Sequence, residues 1–207
     1  QRQMCIRDRN WHDASNYLRG DQYDSIMNYA FTKACLDYFA TGAANAEQTA
    51  WKLNDILARN TDTVNSMMLN LLDSHDTHRF FTEVGMDREK MAAALHLLFL
   101  FPGVPCIFYG TEFYMEGGYD PDCRRCMDWS GYEAGRYDEP VQLIQKLAAL
   151  RRKYGLADAE TVITAQSEIL IVKRRLKEIE LSLYINLSDQ EAAVDGRIVR
   201  AHSYLLL

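Results

Sequence analysis

Residues 66–71 read SMMLNL, and after Leu72 the chain turns polar at once with Asp73, Ser74, His75 and Asp76. An apolar run of strand length that stops on carboxylates and an imidazole predicts a strand buried on both faces with a functional end. Two more runs share the pattern: Asp24–Tyr29 (DSIMNY) and Val104–Tyr109 (VPCIFY), the second closing on Gly110. Helical patterns lie between them. Phe31–Phe39 has helical apolar spacing and halts at Thr41-Gly42, a C-cap signal. Ala46–Arg59 is amphipathic, with Trp51, Leu53, Ile56 and Leu57 as its apolar stripe, and Asp87–Phe101 opens on a good N-cap and continues in helix formers. This alternation predicts three neighbouring parallel strands covered by helices. A polar, Gly- and Asp-rich loop fills Thr111–Asp138, and Glu139-Pro140 opens a last helix to about Lys153.

Working toward the C-terminus, the pattern changes after Gly155. Glu168–Lys173 and Ile179–Asn186 read as strands joined by a charged turn at Leu176-Lys177-Glu178, and Val194–Val199 and Ser203–Leu207 as further short strands. The boundary falls at about Leu156–Asp158, so an α/β unit over residues 11–156 precedes a small all-β domain over 157–207. Toward the N-terminus, Gln1–Asn10 has no clear period and no apolar stretch of a secretory signal, and reads as foreign or misread sequence.

Composition narrows the function. With 48% hydrophobic and 25% charged residues, the 207-residue chain has the balance of a soluble globular protein. A net charge of -6 without a basic stripe argues against nucleic acid or an anionic membrane as partner. The most apolar run, Met91–Phe101, is too short to span a bilayer. Five cysteines fit a reducing, cytoplasmic compartment better than a disulfide framework. Cys123 and Cys126 form a CxxC pair with no second half to complete a zinc site, so two reduced thiols are expected.

Three polar clusters carry candidate chemistry. His75 and Asp76, at a strand end, offer a donor and an acceptor to vicinal hydroxyls; the plainer alternative is that Asp76 caps a short helix from Thr77. Asp120 and Arg124, in the long loop, can grip one polar ligand or simply form a surface ion pair. Trp11 and His12 pair an aromatic face with a polar ring, as sugar-binding sites do, or else Trp11 packs under a loop.

Together the stretches WHDAS, DQYDSIMNY, LLDSHDTHRF and FPGVPCIFYGTEFYMEGGYDPDCRRCM, with the Trp that follows, resemble the α-amylase family of glycoside hydrolases. The resemblance is closest to its cyclomaltodextrinase, neopullulanase and maltogenic amylase subgroup and is nearly continuous from Trp11 to about Arg152. It implies the C-terminal part of a (β/α)8 TIM barrel followed by a β-sandwich domain, with the three apolar strands as the sixth, seventh and eighth. It implies that His75 and Asp76 bind the 2- and 3-hydroxyls at the cleavage site, with Asp76 stabilising the transition state. Asp120 and Arg124 would hold a glucose further toward the non-reducing end, and Trp11 and His12 would line the leaving-group side. Two departures follow. Arg9 stands where the family has its general-acid Glu, beside an unexpected Asn10, and the strand bearing the nucleophilic Asp is not in the chain.

The expectation is therefore a parent enzyme that cleaves α-1,4-glucosidic bonds in cyclodextrins, pullulan or malto-oligosaccharides with retention, and a 207-residue chain inactive alone. The chemistry requires no cofactor, calcium is left open, and dimerisation of the parent through an N-terminal domain is a subgroup property. The rival readings are a carbohydrate-binding module, which would display sugar-stacking aromatics on a sheet face, and a non-catalytic scaffold relative.

Overall fold

The structure, a computed structural model, describes residues 14–207. Helix α1 (Tyr29–Cys35) runs on into a π-helical turn, Leu36–Ala40. Helix α2 (Ala46–Ala58) starts with a capping box, in which Asn45 Oδ1 accepts from the Gln48 amide at 2.9 Å and Gln48 Oε1 accepts from the Asn45 amide at 3.1 Å. Helix α3 (Asp62–Met67) leads into strand β1 (Leu69–Leu71). There follow α4 (Phe80–Glu83), α5 (Arg88–Leu100), β2 (Val104–Cys106), α6 (Trp129–Glu133) and α7 (Asp138–Lys153).

Strands β1 and β2 pair in parallel, Leu69 opposite Val104, and Met27 makes a parallel bridge to Leu69, so the lateral order is Met27, β1, β2. Each strand is shorter than its apolar run. Asp24–Tyr29 shrinks to that one bridge because Asn28 is spent as a helix cap: its Oδ1 accepts from the Phe31 amide at 3.2 Å, and Tyr29 already opens α1. Ser66 and Met67 close α3, whose first turn is capped by Thr61. Strand β2 stops at Cys106, and the Tyr109 carbonyl bonds instead to the Arg79 guanidinium at 2.6 Å. Buried asparagines pin the three segments: Asn28 Nδ2 donates to Asn70 Oδ1 at 2.8 Å, and Asn70 Nδ2 donates to the Pro102 carbonyl at 2.7 Å. A glycine is required beside them, since a Cβ on Gly103 (φ 111°) would lie 2.6 Å from Asn70 Nδ2 and from the Met68 carbonyl.

Helix α5 is buried along its whole length from Met91 to Leu100, as a helix apolar on every side must be. Trp51, expected on the apolar stripe of α2, is 67% exposed, while Leu53 and Ile56 are buried. Two positions along a helix is about 200° of rotation, which puts Trp51 on the face opposite Leu53.

The C-terminal region is a four-stranded antiparallel sheet of order β3-β4-β5-β8, from β3 (Glu160–Gln166), β4 (Ile169–Leu176), β5 (Ile179–Asn186) and β8 (Ser203–Leu206). A hairpin of β6 (Ala192–Val194) and β7 (Arg197–Val199) accompanies it. Strand β3 was not anticipated, and β4 runs on to Leu176, past the expected end at Lys173. Alternation divides the faces. Leu170, Val172, Leu183 and Ile185 join the main core with α2 and α5, while Ile169, Ile171 and Tyr184 pack on Val194 and Val199 of the hairpin. No helix among the described residues is long and apolar enough to cross a membrane.

Candidate functional site

The turn after β1 is pinned from within before it presents any side chain. Asp73 is buried; its Oδ2 accepts from the Phe80 amide at 2.9 Å and its Oδ1 from the Thr111 hydroxyl at 2.7 Å. Burial pushes the Asp73 carboxyl above its ordinary pKa; the Phe80 amide, the Thr111 hydroxyl and the Arg79 charge oppose the shift, and Glu112 adds to it. The Ser74 amide donates to Thr77 Oγ1 at 2.9 Å, the Asp76 amide donates to Ser74 Oγ at 3.2 Å, and the Tyr29 hydroxyl reaches Ser74 Oγ at 3.1 Å. Asp76 therefore does not cap a helix from Thr77. The helix that follows starts at Phe80, and Asp73 takes its free amide.

What this turn presents is His75 and Asp76, with Nε2 and Oδ1 3.1 Å apart. The loop after β2 brings up the second pair. Arg124 Nε lies 3.1 Å from Asp120 Oδ1, its Nη2 lies 3.7 Å from Asp76 Oδ1, and its Nε donates to the His75 carbonyl at 3.0 Å. The Cys123 thiol also donates to that carbonyl, at 3.3 Å. Four side chains chosen from two distant stretches of sequence thus form one partly exposed polar cluster. It offers two carboxylates, an imidazole and a guanidinium to the same volume, which suits a neutral ligand with several adjacent hydroxyls.

Trp11 and His12, the third cluster, lie outside the described residues, as do Arg9 and Asn10. Cys123 is buried and Cys126 exposed, both as free thiols, and among the described residues no group of three or more His, Cys, Asp or Glu is arranged to hold a metal ion. Asp73 belongs to the polar strand end read from the sequence, but its buried role under the turn does not follow from that reading, and Arg79, in a polar run that reads as surface, was not singled out.

Comparison with known proteins gives concordant findings. Residues 6–179 match the family model described as alpha amylase, catalytic domain. The chain is similar to a cyclomaltodextrinase of Thermoanaerobacter pseudethanolicus, 39% identical over 189 residues, which cover 89% of this chain and 32% of that protein. It is 42% identical over 147 residues to neopullulanase 2 of Thermoactinomyces vulgaris, covering 69% of this chain and 25% of that protein. Among solved structures, the cyclic alpha-maltosyl-(1→6)-maltose hydrolase of Arthrobacter globiformis superposes with a TM-score of 0.87 at 25% identity, over 96% of this chain and 48% of that one. The chain spans about a quarter to a third of the length of these curated relatives.

Proposed function

This chain belongs to the alpha-amylase catalytic-domain family, and from that premise we propose that it is the C-terminal part of a longer retaining glycoside hydrolase acting on α-1,4-glucosidic bonds. In this reading Met27, β1 and β2 mark the last three strands of a (β/α)8 barrel, and the sheet from Glu160 onward is a small β-sandwich domain, with the division near residues 156–158. The substrates are cyclodextrins, pullulan or malto-oligosaccharides, in keeping with the names of the relatives.

The observation that carries the proposal is the meeting of His75, Asp76, Asp120 and Arg124 beyond the C-terminal ends of parallel strands, the face on which barrel enzymes build their sites. Asp76 and His75 bind the 2- and 3-hydroxyls of the sugar being cleaved. Asp76 places negative charge where an oxocarbenium-like transition state develops positive charge. Asp120 and Arg124 hold a glucose further toward the non-reducing end, and Trp11 and His12 line the leaving-group side. The nucleophile belongs to a part of the parent that this chain does not include, and the general acid to a Glu that the foreign or misread stretch Gln1–Asn10 replaces, because Arg9 stays charged and releases no proton at working pH. Two carboxylates suffice for the chemistry, so no cofactor is invoked. The odd count of five cysteines does not suggest a disulfide framework and fits a reducing cytoplasm, and the parent acts as a homodimer.

Arg9 at the acid position favours a second reading, a non-catalytic carbohydrate-binding or scaffold relative. Reducing-end assays on β-cyclodextrin, pullulan and maltotriose separate the two. The full-length protein should release reducing ends and the 207-residue chain none. Full-length protein that binds these sugars without cleaving them would establish the second reading.

A further inference from the structure

We propose that Arg79 is the positioning residue of the sugar clamp: its buried guanidinium holds the loop bearing Asp120 and Arg124 against the turn bearing His75 and Asp76. The inference rests on the sugar-site reading above for its consequence, but its geometry stands alone. Arg79 is fully buried, and no ion pair among the described residues uses it. Its Nε donates to the Cys123 carbonyl at 2.7 Å, its Nη1 to the Tyr109 carbonyl at 2.6 Å, and its Nη2 approaches Met115 Sδ at 3.4 Å. Its own amide donates to the Gly117 carbonyl at 2.9 Å. The guanidinium carbon lies over the rings of Phe108 and Tyr109, with centroids 4.2 and 4.8 Å away.

A buried cation with no carboxylate within salt-bridge distance is costly, and an apolar side chain would fill the space. What only arginine supplies is a rigid planar fork that satisfies carbonyls of two separate segments while stacking on aromatic faces. Both segments lead directly to the site. The Cys123 carbonyl belongs to the peptide that carries the Arg124 amide, so anchoring it sets where the Arg124 side chain starts. From there Arg124 Nε reaches the His75 carbonyl at 3.0 Å and Asp120 Oδ1 at 3.1 Å. Phe108 also neighbours both groups: the Arg79 cation lies over its ring at 4.2 Å, and the His75 ring is tilted 54° to it with centroids 6.3 Å apart. Arg79 touches no open surface itself and acts through these two neighbours.

The test uses the full-length protein with Arg79→Lys, which keeps the charge but loses the fork, and Arg79→Met, which loses both. Amide exchange over residues 117–125 should quicken about tenfold or more in Arg79→Lys while β3, β4 and β5 keep their protection. In kinetics, KM for a malto-oligosaccharide should rise about tenfold with a smaller fall in kcat. In an Arg124→Ala background, Arg79→Lys should add far less than it costs in the parent, because both changes disable one clamp. Unchanged loop exchange, additive losses, or a loss of protection spread over β3–β5 would each overturn the proposal, the last by reducing Arg79 to a core residue. If Arg79→Met fails to fold, Arg79→Lys decides. A parent that never turns over substrate, yet shows the loosened loop, would sink the hydrolase reading and leave the positioning role intact.

Discussion

Asp73 shows how much of the site's order resides in one buried carboxylate. It receives a helix amide and a threonine hydroxyl, and burial raises its pKa, so the folded chain holds the Asp73 proton more tightly than the unfolded chain does. The sign follows from linkage. Between the unfolded carboxylate value, about 3.9, and the raised folded value, the native state binds more protons, so this residue's contribution to stability is present at low pH and lost as pH rises through the window. Asp73→Asn keeps an acceptor for the Phe80 amide and cannot titrate. Urea midpoints measured from pH 3.5 to 7 should therefore improve in the variant relative to the parent as pH rises, whereas parallel curves would mean that Asp73 ionises normally. At this scale the polar ends of the apolar runs were legible, and His75, Asp76, Asp120 and Arg124, read from two separate stretches, are brought together. Arg79 was not legible: an arginine three residues after an aspartate in a polar stretch carries no local sign of burial, and only the return of the loop at Cys123 encloses it.

Among the elements, the same device recurs where α5 ends. Arg174 of β4 donates to the carbonyls of Leu100, Leu156 and Ala159, and Arg151 of α7 donates to those of Phe99, Phe101 and Gly103. Two cations thus satisfy the free carbonyls at the negative end of the most buried helix and tie it to α7 and the sheet. Burial, together with the Arg151 charge, lowers the Arg174 pKa to about 10, so it remains charged at neutral pH. Arg174→Met should strand several buried carbonyls and cost about 2–4 kcal/mol in urea unfolding. The neighbouring Arg175→Ala, which removes an exposed pair with Glu180, should cost less than about 1 kcal/mol. Equal effects would show that the inward register of β4 is wrong. That register explains why the sequence-based end of β4 fell at Lys173: Arg174 looks polar, yet it points inward with Leu170 and Val172. Strand β3 escaped notice because its outward positions Glu160, Val162, Thr164 and Gln166 dilute the alternation around one buried residue, Ile163. The helix after Asp87 fared better, since that cap is a short-range signal.

Across the whole molecule, the order of parallel segments and the switch to an antiparallel sheet were readable as changes of hydrophobic period. The lengths of the three parallel segments were not, because tertiary uses of Asn28, Thr61 and Arg79 shorten each one. The main core runs from α1 through α5 to the inner face of β3, β4 and β5 and includes Leu72, which leads into the turn at His75 and Asp76. The hydrolase reading turns on what Asp76 does there. Steady-state kinetics of Asp76→Asn in the full-length protein, on β-cyclodextrin, ask this with a change of charge and almost none of shape. Asp76 acting on the developing positive charge requires kcat to fall about a hundredfold to a thousandfold, with circular dichroism and Tm unchanged. A variant that is folded and turns over at the parental rate would remove Asp76 from the reaction and leave the cluster as a surface ion-pair network.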